Sequence, residues 1–270
     1  MTIYGIDISN NNGGDIDLSL VKAEGFEFVF CKVSEGDGFL DWTWPHYRDA
    51  AQAAGLAVAG YHYLRGDSDV NAQAQVFCSN LGEMPAMVDF EANSGGMDTF
   101  WAFVRACNSR GVEISLSYIP RWYWQNIGRP DLSQVPGLIQ SSYVSGRGGA
   151  ASVMYPGDDS TFWNGFGGKT VDLLQFTDAA QVAGHLLDAN AFQGTRFELD
   201  VLLGTIPFPN SGGLMALTDD EQQELLDNTR YIRGQLSPWP QLGHNDQGQP
   251  LTLVDAVAEL KAWLQPKEQA

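Results

Sequence analysis

Eight apolar runs of strand length, punctuated by Gly, Pro or Asp, constrain the fold of this chain more than any other feature. They are Ile3 to Ile8, Phe26 to Val33, Ala57 to Leu64, Ala86 to Glu91, Val112 to Tyr118, Gly137 to Val144, Val171 to Phe176 and Gly184 to Leu187 running into Asp188. Segments with helical spacing separate the early runs: Trp44 to Ala54 before Gly55, Ser68 to Asn80 near Gly82, and Asp98 to Ser109 before Gly111. Strand, helix and C-terminal glycine in repetition mark a parallel sheet built from βαβ units. The later repeats lose their helices, because Arg147 to Lys169 is Gly-rich and the last two runs lie too close for a full crossover. The pattern predicts an α/β chain whose sheet closes as an irregular TIM-like β/α barrel.

Several of these runs end in polar groups: Asp7, Lys32 and Glu35, His62 and Arg65, and Asp188. The densest case is MPAMVDFEAN, Met84 to Asn93, where an apolar run ends in two carboxylates. On a strand Asp89 and Glu91 share a face with Cα atoms roughly 6.5 to 7 Å apart, a spacing suited to acid chemistry. The same pair also occurs in metal sites and at solvated strand ends. Closure of a barrel brings acids from separate strand ends to one mouth. There, like-charge repulsion from Asp7, Asp89 and Asp188 is expected to raise the pKa of Glu91, as a general acid requires.

The formal charge of -18, with only 15 Lys and Arg, disfavours nucleic acid as a partner. It also gives no long-range attraction to an anionic wall polymer. No uninterrupted apolar segment is long enough to enter a bilayer. The N-terminus MTIYGIDISNNNGG has no basic leader and no long apolar core. Synthesis in a bacterial host cytoplasm, with later access to the cell wall, is the expectation. Cys31, Cys78 and Cys107 are widely spaced in apolar surroundings and read as buried free thiols. The four histidines form no metal-binding motif, and no metal site is expected. GFGGKT at Gly165 to Thr170 lacks the first glycine and the following helix of a P-loop. The NNNGG run reads as a turn.

Together the motifs resemble the glycoside hydrolase family 25 lysozymes, the Chalaropsis-type muramidases common as phage endolysins. The matching segments are GIDIS (Gly5 to Ser9), FCKVSEG (Phe30 to Gly36), AAQAAGLAVAGYHYLR (Ala50 to Arg65), VDFE (Val88 to Glu91), LLQFT (Leu173 to Thr177) and DANAF (Asp188 to Phe192). The resemblance implies cofactor-free hydrolysis of the β-1,4 bond from N-acetylmuramic acid to N-acetylglucosamine in bacterial peptidoglycan. By that similarity Glu91 matches the general acid/base and Asp89 the acid that orients the substrate's 2-acetamido group, in a retaining mechanism. Asp7 and Asp188 match the remaining acids. Tyr61 and Tyr118 are the expected sugar platforms among the aromatics, which also include Tyr63, Trp122, Trp124 and Trp163; an ion pair of Glu35 with Lys32 is expected to shape the mouth. Two rings usual in the family are missing, one in GLIQSSYV and one at Phe176. A catalytically weak wall-binding barrel and a glycosidase for another amino sugar polymer are the alternative readings.

The texture changes near Gly204 to TIPFPNSGG. The expected organisation is a catalytic barrel over 1–205, a linker over 206–216 and a helical module over 217–270. In the module Thr218 to Glu221 forms a capping box ahead of Leu225, Ile232 and Leu236, and Thr252 precedes a stripe of Leu253, Val257, Leu260 and Leu264. Two such helices cannot bury their stripes alone. Packing on the barrel, self-association, wall docking, or assembly with a free module started internally at Met215 are the readings of this segment.

Overall fold

The computed structural model describes residues 2–206, and the expected tail helices lie outside the described residues. The strands are β1 (Thr2–Ile8), β2 (Phe26–Glu35), β3 (Phe39–Leu40), β4 (Ala57–Tyr63), β5 (Ala86–Asp89), β6 (Ile114–Tyr118), β7 (Leu138–Ser141), β8 (Leu173–Val182) and β9 (His185–Gln193). The helices are α1 (Leu18–Ala23), α2 (Trp44–Ala53), α3 (Val70–Leu81), α4 (Met97–Asn108), α5 (Arg121–Asn126), α6 (Ala151–Met154) and α7 (Arg196–Leu202). Sheet order is β1-β9-β8-β7-β6-β5-β4-β2-β3, and a parallel β1–β2 pairing closes the barrel with β3 left as a short outer arm. Each of the eight expected runs is a barrel strand.

Strand direction breaks the regular pattern at one place. β8 and β9 form an antiparallel hairpin across Ala183 and Gly184, both at positive φ, so β9 runs antiparallel to β1 as well. The expectation that Asp188 follows the last strand is therefore not met. Asp188 lies within β9, directly opposite Asp7. Reversal of β9 turns its first half toward the end where the parallel strands finish, so Asp188 still reaches the mouth.

Alternation of side chains divides the core in two. Phe28, Phe30, Ala57, Ala59, Met87, Leu116, Ile139, Leu173 and Phe192 form the inner cluster, with Leu199 and Leu203 packed beneath it from α7 and the residue that follows. The intervening residues, among them Val29, Cys31, Val58, Val88, Phe90 and Leu174, pack outward with helix residues such as Phe77, Phe100 and Phe103. Gly5 is required by the inner layer: a Cβ there would stand 2.1 Å from the Phe28 ring. Cys31 and Cys107 are buried free thiols as expected, whereas Cys78 is only half-buried. In the GFGGKT segment a Phe166–Lys169 bridge closes a turn through Gly167 and Gly168 at positive φ, and β8 follows.

Candidate functional site

The inward parity that builds the barrel core continues to its upper end and there meets polar residues. Asp7, Lys32, Tyr61, Asp89, Tyr118, Gln175, Asp188 and Asn190 continue the inner rows of their strands and line one cleft together with Glu35, Tyr63, Arg65, Glu91 and Tyr143. The expected acids, tyrosines and ion pair are thus brought to one place.

Asp89 closes β5, and Glu91 follows just beyond the strand end. Phe90 points between them into the helical layer, edge-on to Phe100 at 5.3 Å and Tyr123 at 5.2 Å. Its N–H still donates to the Tyr118 carbonyl, so the chain remains extended past the assigned strand. The loop after Glu91 is bolted down: the Ser94 hydroxyl accepts from the Glu91 N–H at 3.1 Å and donates to the Leu64 carbonyl at 2.6 Å. Tyr63 Oη donates to the Ala92 carbonyl at 2.8 Å. These contacts fix the Glu91 backbone without occupying its carboxyl group.

Lys32 and Glu35 reach the same cleft through a bulge. The β2–β4 register shifts between Lys32 and Ser34, so Ser34 turns outward to His62 Nδ1 at 2.9 Å and Glu35 turns to the mouth. Lys32 Nζ donates to Glu35 at 2.5 Å and lies 5.2 Å from the Tyr63 ring centroid. Arg65 adds a longer 3.5 Å contact to Glu35.

On the opposite wall a network centres on Gln175. Its Nε2 donates to Asp7 Oδ2 at 2.7 Å, and its Oε1 accepts from Tyr118 Oη at 2.9 Å and Tyr143 Oη at 2.7 Å. Asn190 Nδ2 donates to the same Asp7 oxygen at 2.7 Å. Asp7 is thereby held by two amides, whereas Asp89, 8% exposed, has an Oδ1 with no hydrogen-bond partner. An unpaired buried acceptor costs about 1–3 kcal/mol, so this oxygen is poised for a donor brought by a ligand.

All four acids are held above their ordinary carboxylate range. For Glu91 burial is the larger cause and the Asp7 charge the second, with Lys32 opposing. Of the three acids expected to repel it, Asp7 is the one that raises Glu91, and loss of water outweighs that repulsion. Asp89 is likewise raised, by burial and then by Glu91. Asp7 is raised by burial against the lowering effect of its Asn190 and Gln175 bonds. Asp188 is pushed to about 8 by burial and then by Asp7 and Asp178.

The aromatic expectations divide. Tyr61 and Tyr118 both line the cleft, Tyr118 buried with its hydroxyl engaged. Tyr63 lines it too, whereas Trp124 and Trp163 pack against the outer core. Trp122 is exposed. Phe176 is fully buried on the outer side and leaves the cleft position to Gln175. Tyr143, just beyond β7, supplies a ring from the segment where a tryptophan was missed. Asn11 and Asn12 also line the cleft from a single 3-10 turn, although NNNGG read as a turn alone. Among the described residues no group of three or more His, Cys, Asp and Glu is arranged to hold a metal ion.

A closed β/α barrel with carboxyl groups gathered at the strand ends defines a glycosidase-type site. Residues 6–185 match the family Glycosyl hydrolases family 25, and the chain belongs to that family. It is 29% identical over 190 residues to the autolytic lysozyme of Clostridium acetobutylicum, a match covering 67% of this chain and 57% of that protein. The chain therefore spans little more than half the length of that relative. The fold is similar to the bacterial lysozyme from Streptomyces coelicolor, with a TM-score of 0.62 and 22% identity over 75% of this chain and 97% of that one. Residues 217–267 separately match the Rv3766 C-terminal domain. Over 55 residues the chain is 58% identical to the uncharacterized protein Rv3766 of Mycobacterium tuberculosis, covering 18% of this chain and 20% of that protein.

Proposed function

We propose that this chain is an endolysin-type N-acetylmuramidase that hydrolyses the β-1,4 bond between N-acetylmuramic acid and N-acetylglucosamine in bacterial peptidoglycan, with retention. The observation that carries the proposal is the buried, unpartnered Asp89 oxygen beside an acid of raised pKa, Glu91, on the cleft wall. In this reading Glu91 donates its proton to the glycosidic oxygen as the bond to the anomeric carbon breaks. Asp89 accepts the N–H of the substrate's 2-acetamido group and stabilises the positive charge that develops as the acetamido oxygen attacks that carbon. The resulting oxazolinium is opened by a water whose proton returns to Glu91. Asp7, tied by Gln175 and Asn190, supplies negative potential around the oxocarbenium-like centre, with Asp188 opposite it as the fourth acid of the cluster. Tyr61 and Tyr118 bound the space for the sugar rings, and the Lys32–Glu35 pair sets the edge of the mouth. Family membership and similarity to an autolytic lysozyme support this reading over a non-catalytic barrel or a glycosidase for another amino sugar polymer.

The pH profile of wall hydrolysis tests the acid chemistry. Glu91 must hold a proton, so activity is lost as pH rises through its raised pKa. On the acid side the cluster takes up further protons and loses the negative charge that steadies the transition state. Both limbs of the bell should lie above the ordinary carboxylate range, and the apparent values belong to the coupled cluster. A profile flat into strongly alkaline pH would contradict a carboxylic general acid.

We extend the proposal to residues 217–270 as a self-association or wall-docking module, which includes assembly with a free copy started at Met215. Similarity of this segment alone to part of Rv3766 supports a separately inherited unit. Avidity for the wall would then rise without new contacts in the barrel. Native mass spectrometry is expected to show a species larger than the monomer. A single monomeric species for both the parent and Met215→Leu would remove self-association and the internal start.

A further inference from the structure

The outer arm of the barrel carries a projecting aromatic patch that the four-acid mechanism does not use. Phe39 and Leu40 of β3 are 40% and 47% exposed, and Trp42 just beyond them is 66% exposed. Its immediate neighbours in the chain are, by contrast, almost completely buried: Asp41 at 3% and Thr43 at 1%. Asp41 is a clamp. One oxygen accepts from the Asn10 N–H at 2.8 Å, and the other accepts from the Thr43 N–H at 2.9 Å and its hydroxyl at 2.6 Å. The Asp41 N–H donates to the Val33 carbonyl at 2.9 Å. The arm is thus tied both to β2 and to the turn that presents Asn11 and Asn12 to the cleft. An exposed aromatic patch on an arm tied down in this way marks an interaction surface.

The indole is also seated toward the cleft. It lies against Gly14, where a Cβ would stand 2.7 Å from Trp42 Cη2, two residues beyond the lining residue Asn12. Phe39, on the same arm, packs 5.5 Å from Nζ of Lys32, another lining residue. The patch therefore continues the cleft wall on the side of the Asn11–Asn12 turn, although Trp42 itself lies outside the cleft.

We propose that Trp42 is a distal glycan subsite, where the indole stacks on a pyranose ring of the strand as it leaves the cleft over the Asn12–Gly14 rim. The occupant follows from that continuity. A polymer threaded through an open cleft must exit across its rim, and a flat aromatic face matches the axial C–H face of a sugar. The subsite would favour long strands over short ones, and it deepens the function proposed above.

Glycan strands of graded length, stripped of peptide, provide the test. Trp42→Ala is expected to raise KM for long strands about tenfold while leaving the shortest cleaved strand within about twofold, with Trp42→Phe retaining most of the preference. Gly14→Ala should reproduce the length-dependent loss with the indole still present, because the new methyl displaces it; Gly14 is not at positive φ. Equal rates for parent and Trp42→Ala at every length, or an equal loss at every length, would overturn the subsite. Calorimetric titration of the same strands into Glu91→Gln, with and without Trp42→Ala, reads binding without turnover. A parent that binds long strands through Trp42 yet cleaves none keeps the subsite and removes the muramidase reading. Concentration-dependent dimerisation abolished by Trp42→Ala would assign the patch to a second copy and overturn the proposal.

Discussion

Glu91→Gln is expected to lower peptidoglycan hydrolysis by at least about 100-fold, since an amide of the same shape cannot give a proton to the leaving oxygen. The fold should survive the change. Glu91 makes no side-chain hydrogen bond among the described residues, and its backbone is held by Ser94 instead. The sign of the stability effect separates chemistry from misfolding. A folded-state pKa raised above the ordinary 4.5 means that the native protein binds this proton more tightly than the unfolded chain. That contribution is complete below the unfolded value and is lost as pH rises through the folded value. Only where pH exceeds the folded value does the amide relieve a buried charge, and there Tm should be unchanged or higher. Activity within a few fold of the parent would remove Glu91 from its role.

Asp89→Asn is expected to lower kcat by about 100-fold, the scale for removing a group that stabilises charge only in the transition state. Affinity for the glycan should change little. The unpartnered Oδ1 can be replaced by an amide oxygen that still accepts the acetamido N–H, but the neutral group cannot balance an oxazolinium. Loss confined to KM would contradict the orienting and charge-stabilising role. Asp89 is raised by burial and then by Glu91, so this substitution also removes a like charge and should not destabilise the barrel at neutral pH.

Much of this site was readable because period-two alternation is strict. Asp7, Asp89 and Glu91 share parity with the inner apolar rows of their runs, so one closed sheet was enough to bring them together. Three local events were hidden. The β2 bulge moves Glu35 onto the mouth face, and one extra residue leaves no compositional mark. Reversal of β9 depends on a hairpin through Ala183 and Gly184, which a run ending at Leu187 did not reveal. Gln175 and Asn190 are polar residues at core positions of apolar strands, and their function appears only when Asp7 is found between them. Asn11 was passed over because its run also satisfies a turn. Helices α1, α5 and α7 span six or seven residues, too short to show a helical period. Two still carry capping signals, with Asp17 ahead of α1 and a Thr195–Glu198 box opening α7.

On the proposed function, so acidic a chain would have to act on an anionic wall without long-range attraction. Recognition at the cleft would then rest on short contacts from the amides, tyrosines and Lys32 that line it. The identity of the bond cut is the central claim. Mass spectrometry of peptidoglycan digested by the full chain should show muropeptides that end in reducing N-acetylmuramic acid, absent from a Glu91→Gln digest. Products ending in reducing N-acetylglucosamine, or no release from intact wall, would contradict it.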